Sequence, residues 1–257
     1  MIKYIDSHAH YDDTRYNDDR DALLRRLHKN GAEKIINIGC TLKRSELSMK
    51  LSERYPFIYA AVGIHPSDVN ALPGDYLERL RGWLADEKVV AIGEIGLDYH
   101  YDNVVRSRQQ QVFAEQLELA ASAGKPVIIH SRDATEDTLS ILKKYKGISG
   151  VTHCFSGSAQ TAKEILRLGL YISFTGVITF KNARRALEAL EAVPLDRLLL
   201  ETDCPYMAPE PYRGKRCDSG MLPHIIEKIA EVKGVTPERV ASVTAENTCR
   251  LFNLDWQ

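Results

Sequence analysis

Eight short apolar runs alternate with longer amphipathic stretches along this 257-residue chain, and that rhythm restricts the fold more than any single motif. The runs are "KYIDSH", "KIINIG", "IYAAVGIH", "VVAIGEIGL", "PVIIHS", "GVTHCF", "YISFTG" and "LLLETD". Most are continuously apolar, as parallel strands covered on both faces must be. Between them, Asp18–Asn30, Lys43–Tyr55, Asp75–Asp86, Arg106–Ala123, Ala134–Tyr145, Ala159–Leu168 and Asn182–Ala192 predict helices. Ser219–Val232 and Pro237–Phe252 predict two more after the last run. Gly31, Gly124 and Gly169 stand just past three of these stretches, where a glycine ends a helix at little cost. Thr236 and Pro237 supply an N-cap and a first-turn proline for the last helix.

No linker or low-complexity tract breaks the series, so residues 1–257 read as a single domain. Eight β-α units in a row predict an α/β chain folded as a (β/α)8 TIM barrel. A doubly wound open sheet is the competing topology. It would place a glycine-rich phosphate loop after the first strand, where this chain has "DSHAHYD".

In such a barrel the active site lies at the C-terminal ends of the strands, and the polar residues of this sequence gather there. The first run ends at His8, with His10 two residues on; residues two apart on a strand share a face, so both rings can aim at one point, with Asp6 on the same side. The third run ends at His65, the fourth carries Glu94, the fifth ends at His130, the sixth carries His153 and the eighth ends at Asp203. One histidine at a strand end reads more simply as a structural residue, and Asp203 alone as a turn residue. Nitrogen and oxygen donors at five separate strand ends, with apolar strand interiors, read as a metal centre. His8, His10, His130 and His153 with Glu94 and Asp203 exceed one tetrahedral site. They suit two divalent ions sharing a carboxylate, and Glu94 is the natural bridge. His28, His100 and His224 fall in helix or loop contexts and read as surface residues.

Composition narrows the class. A net charge of −1 gives no global field toward nucleic acid or anionic membrane, so any nucleic-acid substrate must be held by local residues. The five cysteines are scattered and form no C-x-x-C pair, which predicts reduced thiols and a cytoplasmic protein. No run is long enough to span a bilayer. Neither a membrane nor an obligate protein partner is indicated.

The blocks "YIDSHAHYD", "KPVIIHSRDATED" and "VPLDRLLLETDCP", with "GIHP", "GEIGLDY" and "THCFSG" between them in order, resemble the signature blocks of the TatD family of metal-dependent deoxyribonucleases, over essentially the whole chain. The resemblance implies a TIM barrel and a hydrolase using two divalent ions (one to three across the family), with Mg, Mn or Zn as the metal. It implies that His8, His10, Glu94 and Asp203 hold one ion, and that Glu94, His130 and His153 hold the other. Members of that family act on DNA ends, and some on RNA. The stretch "YMAPEPYRGKRCDSGMLPH" resembles a family loop that continues from Arg-Gly-Lys-Arg into Asn-Glu-Pro; here Cys217, Asp218 and Ser219 follow instead.

The expected reaction is phosphodiester hydrolysis at a free 3′ end of DNA, or of RNA, with Asp203 as general base and Glu94 as the shared catalytic ligand. His65, Arg132, Arg213, Lys215 and Arg216 are the candidate phosphate contacts, Arg for bidentate binding and Lys as a point charge. Arg132 could instead pair with Asp133 or Glu136, and Tyr99 could stack on a terminal base or simply pack. The loops His65–Gly74 and Tyr206–Ser219 are expected to wall the site. The alternative is hydrolysis of a small-molecule ester or amide, or of an aminoacyl-RNA ester, on the same metals. A binding protein that keeps the metals as staples fits an open rim poorly.

Overall fold

The computed structural model describes residues 2–101 and 105–256. All eight apolar runs are strands: β1 (Tyr4–Ala9), β2 (Ala32–Ile38), β3 (Ile58–Val62), β4 (Val89–Asp98), β5 (Val127–Arg132), β6 (Gly150–Thr152), β7 (Tyr171–Phe174) and β8 (Leu198–Leu200). They form one parallel sheet in sequence order. Two backbone hydrogen bonds bring its edges together, from Asp203 N–H to His8 O (2.9 Å) and from His10 N–H to Cys204 O (2.8 Å). The helices are α1 (Arg20–Lys29), α2 (Leu42–Arg54), α3 (Tyr76–Trp83), α4 (Arg106–Ala123), α5 (Thr135–Leu142), α6 (Ala159–Arg167), α7 (Arg184–Ala192), α8 (Leu222–Lys233) and α9 (Pro237–Phe252). The barrel foreseen from the rhythm is therefore present.

Local chemistry explains the boundaries. Thr41, Ser158 and Thr236 each accept a backbone N–H at the start of α2, α6 and α9. Gly124 ends α4 with φ +63°, a conformation glycine adopts without steric penalty. The predicted helix Ser219–Val232 begins as a 3-10 turn, Ser219–Met221, because Asp218 caps that turn before Pro223 opens α8.

The apolar residues of each strand divide between two layers. Ile36, Ile38, Ala61, Ile128, Val151 and Leu199 fill the lumen, and Leu251 and Phe252 of α9 join them. Ile35, Ile58, Val62, Val127 and Ile129 point outward onto the helices, where they meet Leu23, Leu24 and Leu117. A strand buried on both faces has no polar face, which is why the sequence shows runs rather than alternation.

Two strands carry an extra residue at functionally placed positions. On β1, Asp6 pairs with Ile35 and Ala9 with Asn37, three steps against two. On β4, Ile92 pairs with Val127 and Ile95 with Ile129, again three against two. Such bulges re-aim the side chains they contain. The first reverses the alternation between Asp6 and His8, which corrects the expectation that Asp6 shares the histidines' side. Asp6 instead accepts hydrogen bonds from Thr202 N–H (3.0 Å), Thr202 Oγ1 (2.6 Å) and Ser219 Oγ (2.6 Å). The second bulge contains Glu94.

Candidate metal centre

Six donors converge at the C-terminal end of the barrel. His8 belongs to β1 and Glu94 to β4, His130 to β5, while His10, His153 and Asp203 stand one to three residues beyond β1, β6 and β8. Those last three positions lie past the regular strands, but their N–H groups still bond neighbouring strand segments, His10 to Cys204 O, His153 to Ile129 O (3.0 Å) and Asp203 to His8 O. Asp203 adopts φ +56° there.

Glu94 divides the donors into two groups. Its Oε2 lies 3.5 Å from His8 Nε2 and 3.8 Å from His10 Nε2. Those nitrogens are 3.1 Å apart, and Asp203 Oδ1 lies 3.6 Å and 3.3 Å from them. Its Oε1 lies 2.7 Å from His153 Nε2 and 2.9 Å from His130 Nδ1, themselves 3.3 Å apart. Donors about 2.1 Å from a common ion sit roughly 3.0–3.4 Å from one another in octahedral or tetrahedral coordination, and both groups approach that spacing.

Hydrogen bonds on the far sides of the rings fix which nitrogen faces the centre. His10 Nδ1 donates to Ile38 O (3.1 Å), leaving the Nε2 lone pair inward. His130 Nε2 donates to Asp98 Oδ2 (3.2 Å), leaving Nδ1 inward. His8 Nδ1 and His153 Nδ1 are buried without a hydrogen-bond partner; His153 Nδ1 lies 3.7 Å from Glu201 Oε1. Glu201 accepts from Cys154 N–H (2.5 Å) and Ser173 Oγ (2.7 Å). Inward-facing nitrogens of His8, His10, His130 and His153 crowded against Glu94 and Asp203 within a buried site fit a cation that accepts their lone pairs.

The electrostatics agree. Burial opposes ionisation of Glu94, yet His153, His65 and His130 around it hold its carboxyl well below the usual range. Burial likewise opposes charge on His153, but Glu94 and Glu201 raise its pKa well above normal. Asp203 is lowered despite burial by the hydrogen bond to His10 and the nearby His8. His8 is lowered, by burial first and then by His153.

His65 behaves differently. Ser67 N–H donates to its Nδ1 (3.1 Å), so Nε2 carries the proton and faces Glu94 Oε1 at 3.6 Å. Burial lowers its pKa to about 4, so it is neutral near pH 7. It is a donor into the site, although His65, Asp98 and His130 also lie close enough to form a ligand cluster.

The centre opens into a cavity of about 560 Å3. Ser67 and Asp68 from the 3-10 turn Pro66–Ala71, and Tyr206 and Met207 beyond β8, contribute to its wall. Arg132 and Arg44 also line it, whereas Arg213 and Lys215 do not. Arg213 is exposed and lies over Phe180 (4.3 Å), and Lys215 lies near Tyr212 (5.9 Å). Asp133, considered as a partner for Arg132, is bonded to His100 (2.9 Å), and Arg132 lies over Tyr101 (5.8 Å). Tyr99 packs rather than stacks: its hydroxyl donates to Asp137 (2.8 Å) and Arg106 covers its ring (4.5 Å). The unusual Cys217-Asp218-Ser219 is structural. Cys217 O accepts from Tyr16 OH (2.5 Å), and Ser219 bonds Asp6 and Tyr11.

Sequence reasoning missed Asp98, Glu201 and Cys40. Glu201 sits two residues before Asp203, and Asp98 four after Glu94, spacings that a strand-periodicity argument could have used. Cys40 lies just past β2, its Sγ 3.6 Å from Glu94 Oε2. Among the described residues no helix is long and apolar enough to cross a membrane, and the cysteines are free.

The TatD related DNase family matches residues 5–253. The Bacillus subtilis protein named uncharacterized metal-dependent hydrolase YabD is 42% identical over 253 residues, covering 98% of this chain and 99% of its own. The Cronobacter sakazakii protein named 3′-5′ ssDNA/RNA exonuclease TatD is 36% identical over 249 residues, covering 93% and 94%. The crystal structure of YjjV, a TatD homolog from Escherichia coli K12, superposes with a TM-score of 0.93 at 34% identity, covering 98% of both chains. This chain belongs to the TatD-related DNase family and is a metal-dependent hydrolase.

Proposed function

We propose that this hydrolase cleaves phosphodiester bonds at the free 3′ end of single-stranded DNA or RNA, using two divalent ions. The carrying observation is the division of Glu94, one oxygen toward His8 and His10 and the other toward His130 and His153, at the floor of a walled cavity. Magnesium, manganese or zinc bound there would lower the pKa of a water and neutralise charge on the phosphoryl oxygens. Asp203, ionised and at the cavity surface, accepts the proton of the attacking water. His65 Nε2–H donates to a phosphoryl oxygen, which its neutral state and tautomer allow. Arg132, which lines the cavity, supplies the cationic contact, since Arg44 beside it is held by Asp12 (2.6 Å). Arg213 and Lys215, outside the cavity wall, reach the strand farther from the scissile bond. A pocket rather than an open groove favours a terminus over mid-duplex DNA. The names of relatives such as the Cronobacter exonuclease support this substrate class.

The test is a substrate panel with Mg, Mn and Zn supplied in turn: linear and circular single-stranded DNA, RNA, aminoacyl-RNA and simple phosphate and carboxylic esters. Cleavage of linear strands with 3′ polarity is expected. Equal attack on circular DNA would remove the end requirement. Carboxylic-ester cleavage without nuclease activity would establish the small-ester alternative.

A further inference from the structure

We infer that Tyr206 and Tyr101 form a base-stacking clamp at the cavity mouth, gripping unpaired bases next to the phosphate that enters below. The inference rests on the nucleic-acid reading above and adds the residues that select a single strand.

Six large apolar side chains are conspicuously exposed among the described residues, and three of them, Tyr101, Tyr206 and Met207, line this one cavity. Exposed apolar residues scattered singly need no explanation, but a cluster at the mouth of a polar site does. Tyr101 is three residues beyond β4 and Tyr206 six beyond β8. In a closed ring of eight strands taken in order, β4 and β8 are diametrically opposed, so the two rings rise on opposite sides of the opening.

Each ring has a guanidinium near it. Arg15 lies over Tyr206 at 4.2 Å, and Arg132 over Tyr101 at 5.8 Å. Arg15 is itself held by Asp13 through Nε (3.0 Å) and Nη2 (3.2 Å), and its carbonyl accepts from Arg216 (2.7 Å). Arg216 in turn grips Asp19. One face of Tyr206 is therefore fixed against a braced cation, which leaves the other face for a ligand. The lip behind it is seated firmly: a Cβ on Gly176 would lie 2.2 Å from Met207 O. Tyr99, two residues before Tyr101, offers no comparable surface because it is half-buried, lies outside the cavity lining and has its hydroxyl tied to Asp137.

Two aromatic faces on opposite sides of a metal floor suit unpaired nucleobases, one stacked on each ring. Every base has a π-face, so such a clamp tolerates sequence and demands only that the base be free of its partner. A paired terminus would first have to unpair and unstack.

The experiment titrates the metal-loaded protein with a hydrolysis-resistant phosphorothioate single strand carrying 2-aminopurine at its 3′ end, whose fluorescence is quenched on stacking. Wild type should quench it. Tyr206→Ala should weaken binding about 5- to 150-fold, the range for loss of one base–aromatic stack. Tyr206→Phe and Tyr206→Trp should restore it, and Tyr101→Ala should act in the same direction. In turnover, the loss in kcat/KM caused by Tyr206→Ala should be at least about fivefold greater for the oligonucleotide than for bis(p-nitrophenyl) phosphate. A strand with an abasic 3′ end should show no such excess. Wild-type binding by Tyr206→Ala, or a phenylalanine variant as weak as the alanine one, overturns the clamp. Absence of nucleic-acid cleavage by wild type sinks the nuclease reading instead, while ring-dependent quenching still decides the clamp.

Discussion

Asp98 Oδ2 lies 3.2 Å from His130 Nε2, and that contact turns the other ring nitrogen to within 2.9 Å of Glu94 Oε1. Without it the ring is free to present either nitrogen, and its lone pair is no longer committed to the centre. Asp98→Ala should therefore weaken metal binding on the His130–His153 side by about 10- to 100-fold, the usual effect of losing a carboxylate behind a ligating histidine. Calorimetric titration of the stripped protein measures it. An unchanged affinity would show that neighbouring packing alone orients His130.

The division of Glu94 predicts two separable ions. His130→Ala combined with His153→Ala should remove about one ion per chain and leave the other. Inductively coupled plasma mass spectrometry after reconstitution and desalting counts them. Loss of all metal would mean a single shared site, and no loss would exclude both histidines as ligands.

Asp203 occupies a left-handed backbone conformation, φ +56°, which asparagine tolerates far better than most residues. Asp203→Asn should thus keep the fold and lower kcat by about 10²- to 10⁴-fold through loss of the base. Asp203→Ala should add a backbone penalty of about 1–2 kcal/mol. Thermal melts of the metal-free variants separate the two effects. Wild-type kcat in the asparagine variant would take Asp203 out of the chemistry.

Much of this arrangement was legible in the sequence because it depends on short-range pattern. The eight apolar runs gave eight strands since both faces of each strand are covered, and strand-end histidines stood out against apolar interiors. What stayed hidden depends on register and on distant partners. A bulge of one residue in β1 sends Asp6 away from His8, and no periodicity argument reveals where a bulge falls. Asp98 and Glu201 act through other side chains, so their even spacing from Glu94 and Asp203 puts them on the right face without declaring their partners, His130 and His153. Arg216 looked like part of a cationic loop. Its charge is committed to Asp19, almost two hundred residues away in sequence.

Asp6 offers a stability test. Its carboxylate accepts from Thr202 N–H, Thr202 Oγ1 and Ser219 Oγ, tying β1 to the segment after β8 and to the turn before α8. His8 N–H also donates to it (3.3 Å), and Ser219 Oγ has Tyr11 OH as a second partner (2.8 Å), so Asp6→Ala strands the two Thr202 donors and His8 N–H, each worth about 1–3 kcal/mol when unsatisfied. A loss of at least about 3 kcal/mol in urea unfolding is expected, with a smaller loss for Asp6→Asn, which keeps one acceptor oxygen. A loss below about 1 kcal/mol would mean that water replaces the carboxylate freely.

Salt dependence tests how the strand is held. The chain has a net charge of −1, Arg216 is engaged by Asp19, and Arg132 is the candidate phosphate cation that lines the cavity. Few phosphates can then be neutralised. Each contributes about −0.7 to the log–log slope of single-strand affinity against salt, so the slope should fall between about −1 and −3. Arg132→Ala should flatten it by about 0.7 and raise KM, whereas Arg213→Ala should raise KM less, since Arg213 lies over Phe180 outside the cavity wall. Binding measured by anisotropy across a salt series gives the slope directly. A value steeper than about −5 would require a long basic track. Such a track would move the nucleic acid out of the pocket and onto the barrel's surface.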